Sequence, residues 1–164
     1  MNTKIRRGVF ETNSSSVHSL AISKDGMEKP NLRIRRKKID GKFYRFLYVP
    51  LGTFGKNHQL FTDQEEKLSY LVTIAYLTNG GRDLEHMEES YAYKDMEEEI
   101  VKYCNEAGYN VEGFYVDPKT EKYADIDHQT ICDYYGIDDF YHIMGVNFVD
   151  FVFNKYIALE TDCD

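Results

Sequence analysis

The segment Glu11-Thr12-Asn13-Ser14-Ser15-Ser16-Val17-His18 gathers a carboxylate, an amide, several hydroxyls and an imidazole. Such a set can hold a metal, polarise a substrate or recognise a partner. The same residues can also form a tight polar turn, since Asn and Ser side chains bond neighbouring backbone groups. A second cluster is Asp125-Ile126-Asp127-His128-Gln129-Thr130-Ile131-Cys132. If residues 128–132 are helical, His128 and Cys132 lie one turn apart, so an imidazole nitrogen and a thiolate can approach one divalent ion. Zinc takes four ligands, or three plus water, and His18, Glu11, Asp127, His142 and Cys163 have suitable donors. The structural alternative is a buried Cys132 beside a capping Asp127 and a surface histidine.

Other chemistry finds less support. Ser14, Ser15 or Ser16 with His18 and Glu11 supply the residue types of a hydrolytic triad, but such triads are assembled from separate elements. A metal-dependent hydrolase or nuclease using His18, His128 and a carboxylate fits better, with zinc activating water. There is no phosphate-binding glycine motif, no His-Glu-x-x-His and no Cys-x-x-Cys.

These clusters need elements to position them. Val17 to Ser23 alternates as a strand, which places His18 on one face with Leu20 and Ile22. Lys24-Asp25-Gly26 opens a turn region that ends near Pro30-Asn31. Leu32 to Ile39 and Lys42 to Val49 flank Asp40-Gly41, a two-residue hairpin signal, giving three antiparallel strands by residue 50. Pro50 to Gly55 breaks the sheet pattern, and a loop with His58 leads to a helix over Thr62–Asn79. Its start reads as a capping box from Thr62 to Glu65, and Leu68, Leu71, Val72 and Ala75 recur at helical spacing. Asn79-Gly80-Gly81 stops it. A second helix runs from about Tyr91 to Ala107, with Glu97-Glu98-Glu99 as a solvated face. Val111 to Val116 reads as a strand, Asp117-Pro118-Lys119 as a turn and Asp127 to Tyr135 as a short helix. Phe148 to Phe153 fits helix or strand, and Tyr156 to Glu160 a strand before an acidic tip. The expected fold is α+β: a mainly antiparallel sheet packed against two or three helices, in a single compact domain over residues 1–164.

Composition narrows the function classes. The 164 residues can bury a core without staples. No apolar run approaches the roughly 20 residues of a membrane helix, and charges stand where a signal peptide would be apolar, so a cytoplasmic protein is expected. Three cysteines without paired spacing are expected as free thiols. The net charge of −8 divides into +6 over residues 1–40 and −14 over the remainder. Arg33, Arg35, Arg36, Lys37 and Lys38 could touch phosphate, but the acidic remainder disfavours direct nucleic-acid binding unless they form a patch of their own. A solvated strand with outward charges explains them as well. An acidic body rich in tyrosine suits binding to a basic protein surface.

Three motifs carry a resemblance. Arg7 to Ser19, Gly52-Thr53-Phe54-Gly55 ahead of Glu66 to Leu71, and Ile126-Asp127-His128-Gln129 together resemble small proteins of phages and mobile elements in Gram-positive bacteria. Lys56 stands where the middle motif of that group carries Trp. The resemblance implies an anti-CRISPR protein, a phage-encoded inhibitor of a type II CRISPR effector nuclease. It would bind that nuclease directly in the cytoplasm of the infected cell and block DNA loading or activation. It also singles out His18 and His128 and so implies one zinc ion, with Cys132, Glu11 and Asp127 as further ligands. Asn13, Ser14, Ser15 and Ser16 belong to the same motif. On this reading the protein is a binder and not an enzyme; a small metal-dependent hydrolase or nuclease is the alternative.

Overall fold

Asp40 and Gly41 adopt positive φ angles of 48° and 82°, and Ile39 pairs with Lys42 across them. This is the two-residue hairpin turn whose twist matches that of its strands. The computed structural model describes residues 4–6, 16–22, 26–126 and 136–163. The chain begins with β1 (Lys4–Arg6) and β2 (Ser16–Ile22), and the hairpin joins β3 (Ile34–Ile39) to β4 (Lys42–Val49). Two short strands follow, β5 (Thr53–Phe54) and β6 (Gln59–Phe61), then α1 (Gln64–Thr78), α2 (Leu84–Glu89) and α3 (Tyr91–Glu106). After β7 (Phe114–Val116) come a 3-10 segment, Pro118–Tyr123, and β8 (Asp125–Ile126). The last elements are α4 (Phe140–Met144), α5 (Phe148–Phe153) and β9 (Ala158–Cys163).

The fold is α+β, with the strands in three small sheets. One has the order β1-β2-β9-β6 and is antiparallel throughout. The second, β3-β4-β7, joins the antiparallel hairpin to a parallel β7. The third pairs β5 with β8 in parallel. The chain therefore does not build one meander by residue 50: β2 and β3 belong to different sheets, because β2 takes the distant β9 as its neighbour.

The helix α1 is the centre of the molecule. Leu68, Tyr70, Leu71, Val72, Ile74 and Ala75 are all buried, on every side of the helix, which is the pattern of a helix enclosed by other elements. Aromatic rings fill the space around it. Phe54 meets Tyr70 edge-on at 5.3 Å, Tyr70 lies 6.3 Å from Phe151, and Phe151 meets Phe140 edge-on at 5.2 Å. The start of α1 differs from the sequence expectation by one residue. Asp63 is the cap, accepting from the backbone N–H of Glu65 (2.8 Å) and Glu66 (3.3 Å). The Glu65 carboxylate turns away to Arg33, because an ion pair with a guanidinium outweighs the single backbone bond it would make in a capping box.

Four further differences have local causes. Around His58 the chain extends into β6, which pairs with β9. Between the two long helices, Asp83 caps α2 by accepting from His86 N–H at 3.0 Å. Asp117 caps the 3-10 segment, accepting from Lys119 N–H at 3.0 Å, so the expected turn continues beyond Lys119 to Tyr123. Phe148–Phe153 is helical, capped by Asn147, which accepts from Asp150 N–H at 2.7 Å. The short helix expected over Asp127–Tyr135 lies outside the described residues. Among the described residues, no helix is long and apolar enough to cross a membrane. Cys104 is a free, buried thiol whose burial pushes its pKa up to about 12.

Candidate functional site

Of the residues that the sequence nominates for metal or motif chemistry, Glu11, Asn13, Ser14, Ser15, Asp127, His128 and Cys132 lie outside the described residues. His18 and Ser16 stand on β2. The register pairs His18 with Thr161 and Thr161 with Gln59, so these three form one row across β2, β9 and β6. Gly55 N–H donates to Gln59 Oε1 at 3.2 Å, and the preceding residue, Phe54, pairs with Ile126 at the end of β8. Cys163 pairs with Ser16 farther along the same ladder, whereas His142 is exposed on α4. Among the described residues, no group of three or more His, Cys, Asp or Glu side chains is arranged to hold a metal.

The described surface offers two clefts lined by carboxylates against aromatic walls. The first, about 430 Å³, lies between β5, β6 and the start of α1, with Asp63, Glu65 and Glu66 facing Phe54 and Phe61. Burial first, and the neighbouring Asp63 charge second, raise the Glu66 pKa. A cation already serves this cleft. Arg33 Nε donates to both Glu65 oxygens at 2.8 and 3.0 Å, and the Arg33 backbone N–H adds a bond of 2.9 Å.

The second cleft, about 550 Å³, lies where α3 begins. Its lining includes Tyr91, Asp95, Glu99, Ile137, Asp138 and Phe148, with no Lys or Arg. Ser90 sets the direction of α3 by accepting from Tyr93 N–H at 3.3 Å. Asn79, just past α1, fixes the opposite wall by accepting from Ile137 N–H at 3.1 Å. Tyr91 is 88 % exposed at the rim. The Glu99 pKa is raised, by burial first and by the Asp95 charge second. Three carboxylates beside the rings of Tyr91 and Phe148 have the chemistry to accept a lysine or arginine side chain, its charged head on the carboxylates and its aliphatic stem on the rings.

Sequence reasoning gave Glu97-Glu98-Glu99 a single role as a solvated face, and the structure divides them. Glu97 is half-buried and accepts from Phe114 N–H at 2.6 Å, tying α3 to β7. Glu98 is exposed, and Glu99 lines the cleft. The signal that could have found the cleft is the stripe Tyr91, Asp95, Glu99 at spacings of four. Like charges at that spacing weaken a helix, so their presence calls for an explanation. Comparison of the chain with protein-family models, with curated proteins and with solved structures finds no match in any of the three.

Proposed function

We propose that the protein acts by binding: the acidic cleft at the start of α3 receives a basic side chain from the surface of a nucleic-acid-binding protein. The observation that carries this reading is a cleft with Asp95, Glu99 and Asp138 in its lining and, among the described residues that line it, no Lys or Arg. The resemblance stated above makes the target a type II CRISPR effector nuclease in the cytoplasm of the infected cell. Occupation of its basic surface would block DNA loading or activation. A net charge of −8 favours fast encounter with such a surface.

The test is a titration against purified type II effector nucleases in a DNA-cleavage assay. Inhibition is expected to saturate at about one protein per nuclease, with a complex on a sizing column. Loss of cleavage at a small fraction of that ratio would mean catalysis by the inhibitor, and no effect on any nuclease would remove this reading.

The same proposal includes one structural zinc ion held by His18, His128 and Cys132, with Glu11 or Asp127 completing the set. It rests on the resemblance, which singles out His18 and His128, and on the four-residue spacing of His128 and Cys132 in the sequence. Elemental analysis of protein purified without an affinity tag is expected to give about one zinc per chain. The double variant His18→Ala/His128→Ala should lose the metal and unfold at lower temperature, because binding free energy at such a site is folding free energy. A metal content near zero in the unaltered protein would rule the zinc out.

A further inference from the structure

The strongly basic stretch behaves differently from the rest of this acidic chain. Residues 33–45 hold seven Lys and Arg against one carboxylate, Asp40. Arg35, Arg36, Lys37 and Lys38 are all exposed on β3, an edge strand that pairs only with β4. Edge strands commonly carry a lysine or two against unwanted pairing, but this surface carries more than that. Arg33, Arg35 and Lys37 share one face of the sheet, over an aromatic layer, while Arg36 and Lys38 alternate to the other.

The sheet β3-β4-β7 buries one face and leaves the other open. Leu47, Val49, Phe114 and Val116 turn into the core, while the alternate residues Tyr48 and Tyr115 stand half-buried on the outer side. The two tyrosine rings lie side by side, 6.2 Å apart and 27° from coplanar. Cations cover them: Arg33 lies 4.7 Å from the Tyr48 ring centre, and Arg35 and Lys37 lie 5.5 and 4.5 Å from that of Tyr115. Ring quadrupoles hold cations in this position without neutralising them. Tyr44 and Phe46, half-buried, continue the same face opposite Lys37 and Arg35, whereas the exposed Phe43 belongs to the other face, with Lys38. Three carboxylates act on these cations: Glu65 is ion-paired with Arg33, Asp117 accepts from the Tyr48 hydroxyl at 2.8 Å and feels the Arg35 charge, and Glu88 feels the Lys37 charge. Arg33 is committed to Glu65, so Arg35 and Lys37 are the cations of this face proposed to meet a ligand.

We propose that the outer face of the β3-β4-β7 sheet binds a single-stranded nucleic acid, with Arg35 and Lys37 on its phosphates and the half-buried rings of Tyr44 and Phe46 against its bases. Charge complementarity selects a polyanion, and alternating cations and rings suit a strand whose bases are free to stack. A duplex offers phosphates but no free base faces. The inference stands independently of the docking of the α3 cleft, which lies on other elements.

The experiment is fluorescence anisotropy with labelled oligothymidylate and oligouridylate of roughly 20 nucleotides, longer than a small domain covers, over a series of salt concentrations. Both single strands should bind, with affinity falling steeply as salt rises. The variant Arg35→Gln/Lys37→Gln should lose at least tenfold in affinity, and its slope of log affinity against log salt should flatten by about 1.4, at roughly 0.7 per cation. The control Lys94→Gln/Lys102→Gln removes the same charge from the exposed side of α3 and should change neither quantity. Absence of binding at low salt would overturn the proposal, as would equal losses in the two double variants or a duplex bound as tightly as the single strands. Self-association abolished by Arg35→Gln/Lys37→Gln, without oligonucleotide binding, would assign the face to a second copy of the chain and equally overturn it.

Discussion

Lys67→Ala is expected to lower the free energy of unfolding by about 3–5 kcal/mol, the range for truncating a large buried side chain. Lys67 is 1 % exposed in the first turn of α1. Its ammonium donates to the carbonyl oxygens of Asn154 (3.0 Å) and Ile157 (3.2 Å), fastening α1 to the turn between α5 and β9. Alanine would leave a cavity and take a donor from both carbonyls, of which that of Asn154 still accepts from Ile157 N–H at 3.1 Å. Lys67→Met fills most of the volume and removes the buried charge, so it should cost clearly less than alanine. Chemical denaturation of the three proteins at one pH checks the order, and equal stability of wild type and Lys67→Ala would show that the buried ammonium holds nothing together.

The same residue gives stability a pH dependence of definite sign. Burial lowers the Lys67 pKa from 10.5 to about 8, with the Glu28 and Asp63 charges acting in the opposite direction. Between those values the unfolded chain holds a proton that the folded chain has released, so stability rises with pH. The contribution is fully present above 10.5 and is lost as pH falls through about 8. Cys104 works against it: its thiol keeps its proton up to about 12 in the fold and to 9.0 when unfolded, so its effect is lost stability above 9.0. The gain from Lys67 should therefore be visible between about pH 8 and 9, with a slope of at most about 1.4 kcal/mol per pH unit. Lys67→Met should abolish it.

Local signals made much of this architecture legible. Asp40-Gly41 set the hairpin, the apolar arc around Leu68, Leu71 and Val72 marked a buried helix, and Gly108, with φ of 89°, ends α3 as expected. What the chain did not reveal was decided at long range. β6 and β9 are adjacent in the sheet although about a hundred residues separate them, and β7 adds to β4 in parallel; no local pattern encodes either pairing. Lys67 shows the same limit, because a lysine among leucines reads as the wet side of a helix until two carbonyls from residues 154 and 157 close over it. At the candidate site, the sequence supplied the acidic, tyrosine-rich character of the surface. It could not supply the cleft, since Ile137 and Asp138 come from about forty residues farther along the chain than Asp95 and Glu99 and are held beside them through long-range bonds such as that from Ile137 to Asn79.

Reversing both charges on α3, with Asp95→Lys/Glu99→Lys, is expected to weaken docking on the target nuclease about 100-fold, roughly 3 kcal/mol. The variant removes two attractions for a basic side chain and presents two cations to it, and like charges brought together at an interface cost several kcal/mol. Folding should survive, because both side chains are exposed and the core-facing residues of α3, Tyr93, Met96, Ile100 and Cys104, are untouched. The single variant Glu99→Lys separates stability from binding still more cleanly. It turns the repulsive Asp95–Glu99 pair into an attractive one with the acid nearer the N-terminus, which should stabilise α3 by about 0.5 kcal/mol while docking falls at least tenfold. Acid should mimic the variant. The folded Glu99 carboxyl has its pKa raised above the ordinary 4.5, by burial and then by Asp95, so a bound cation must first draw off a proton that an exposed glutamate would already have lost. Docking of the wild type should therefore begin to weaken at a higher pH than that of Glu99→Gln, whose affinity is lower but flatter through that range. Calorimetric titration of the nuclease with each protein from pH 7 downward measures both effects. Full affinity in the double variant, together with a flat pH profile for the wild type, would show that the cleft at the start of α3 is not where the partner binds.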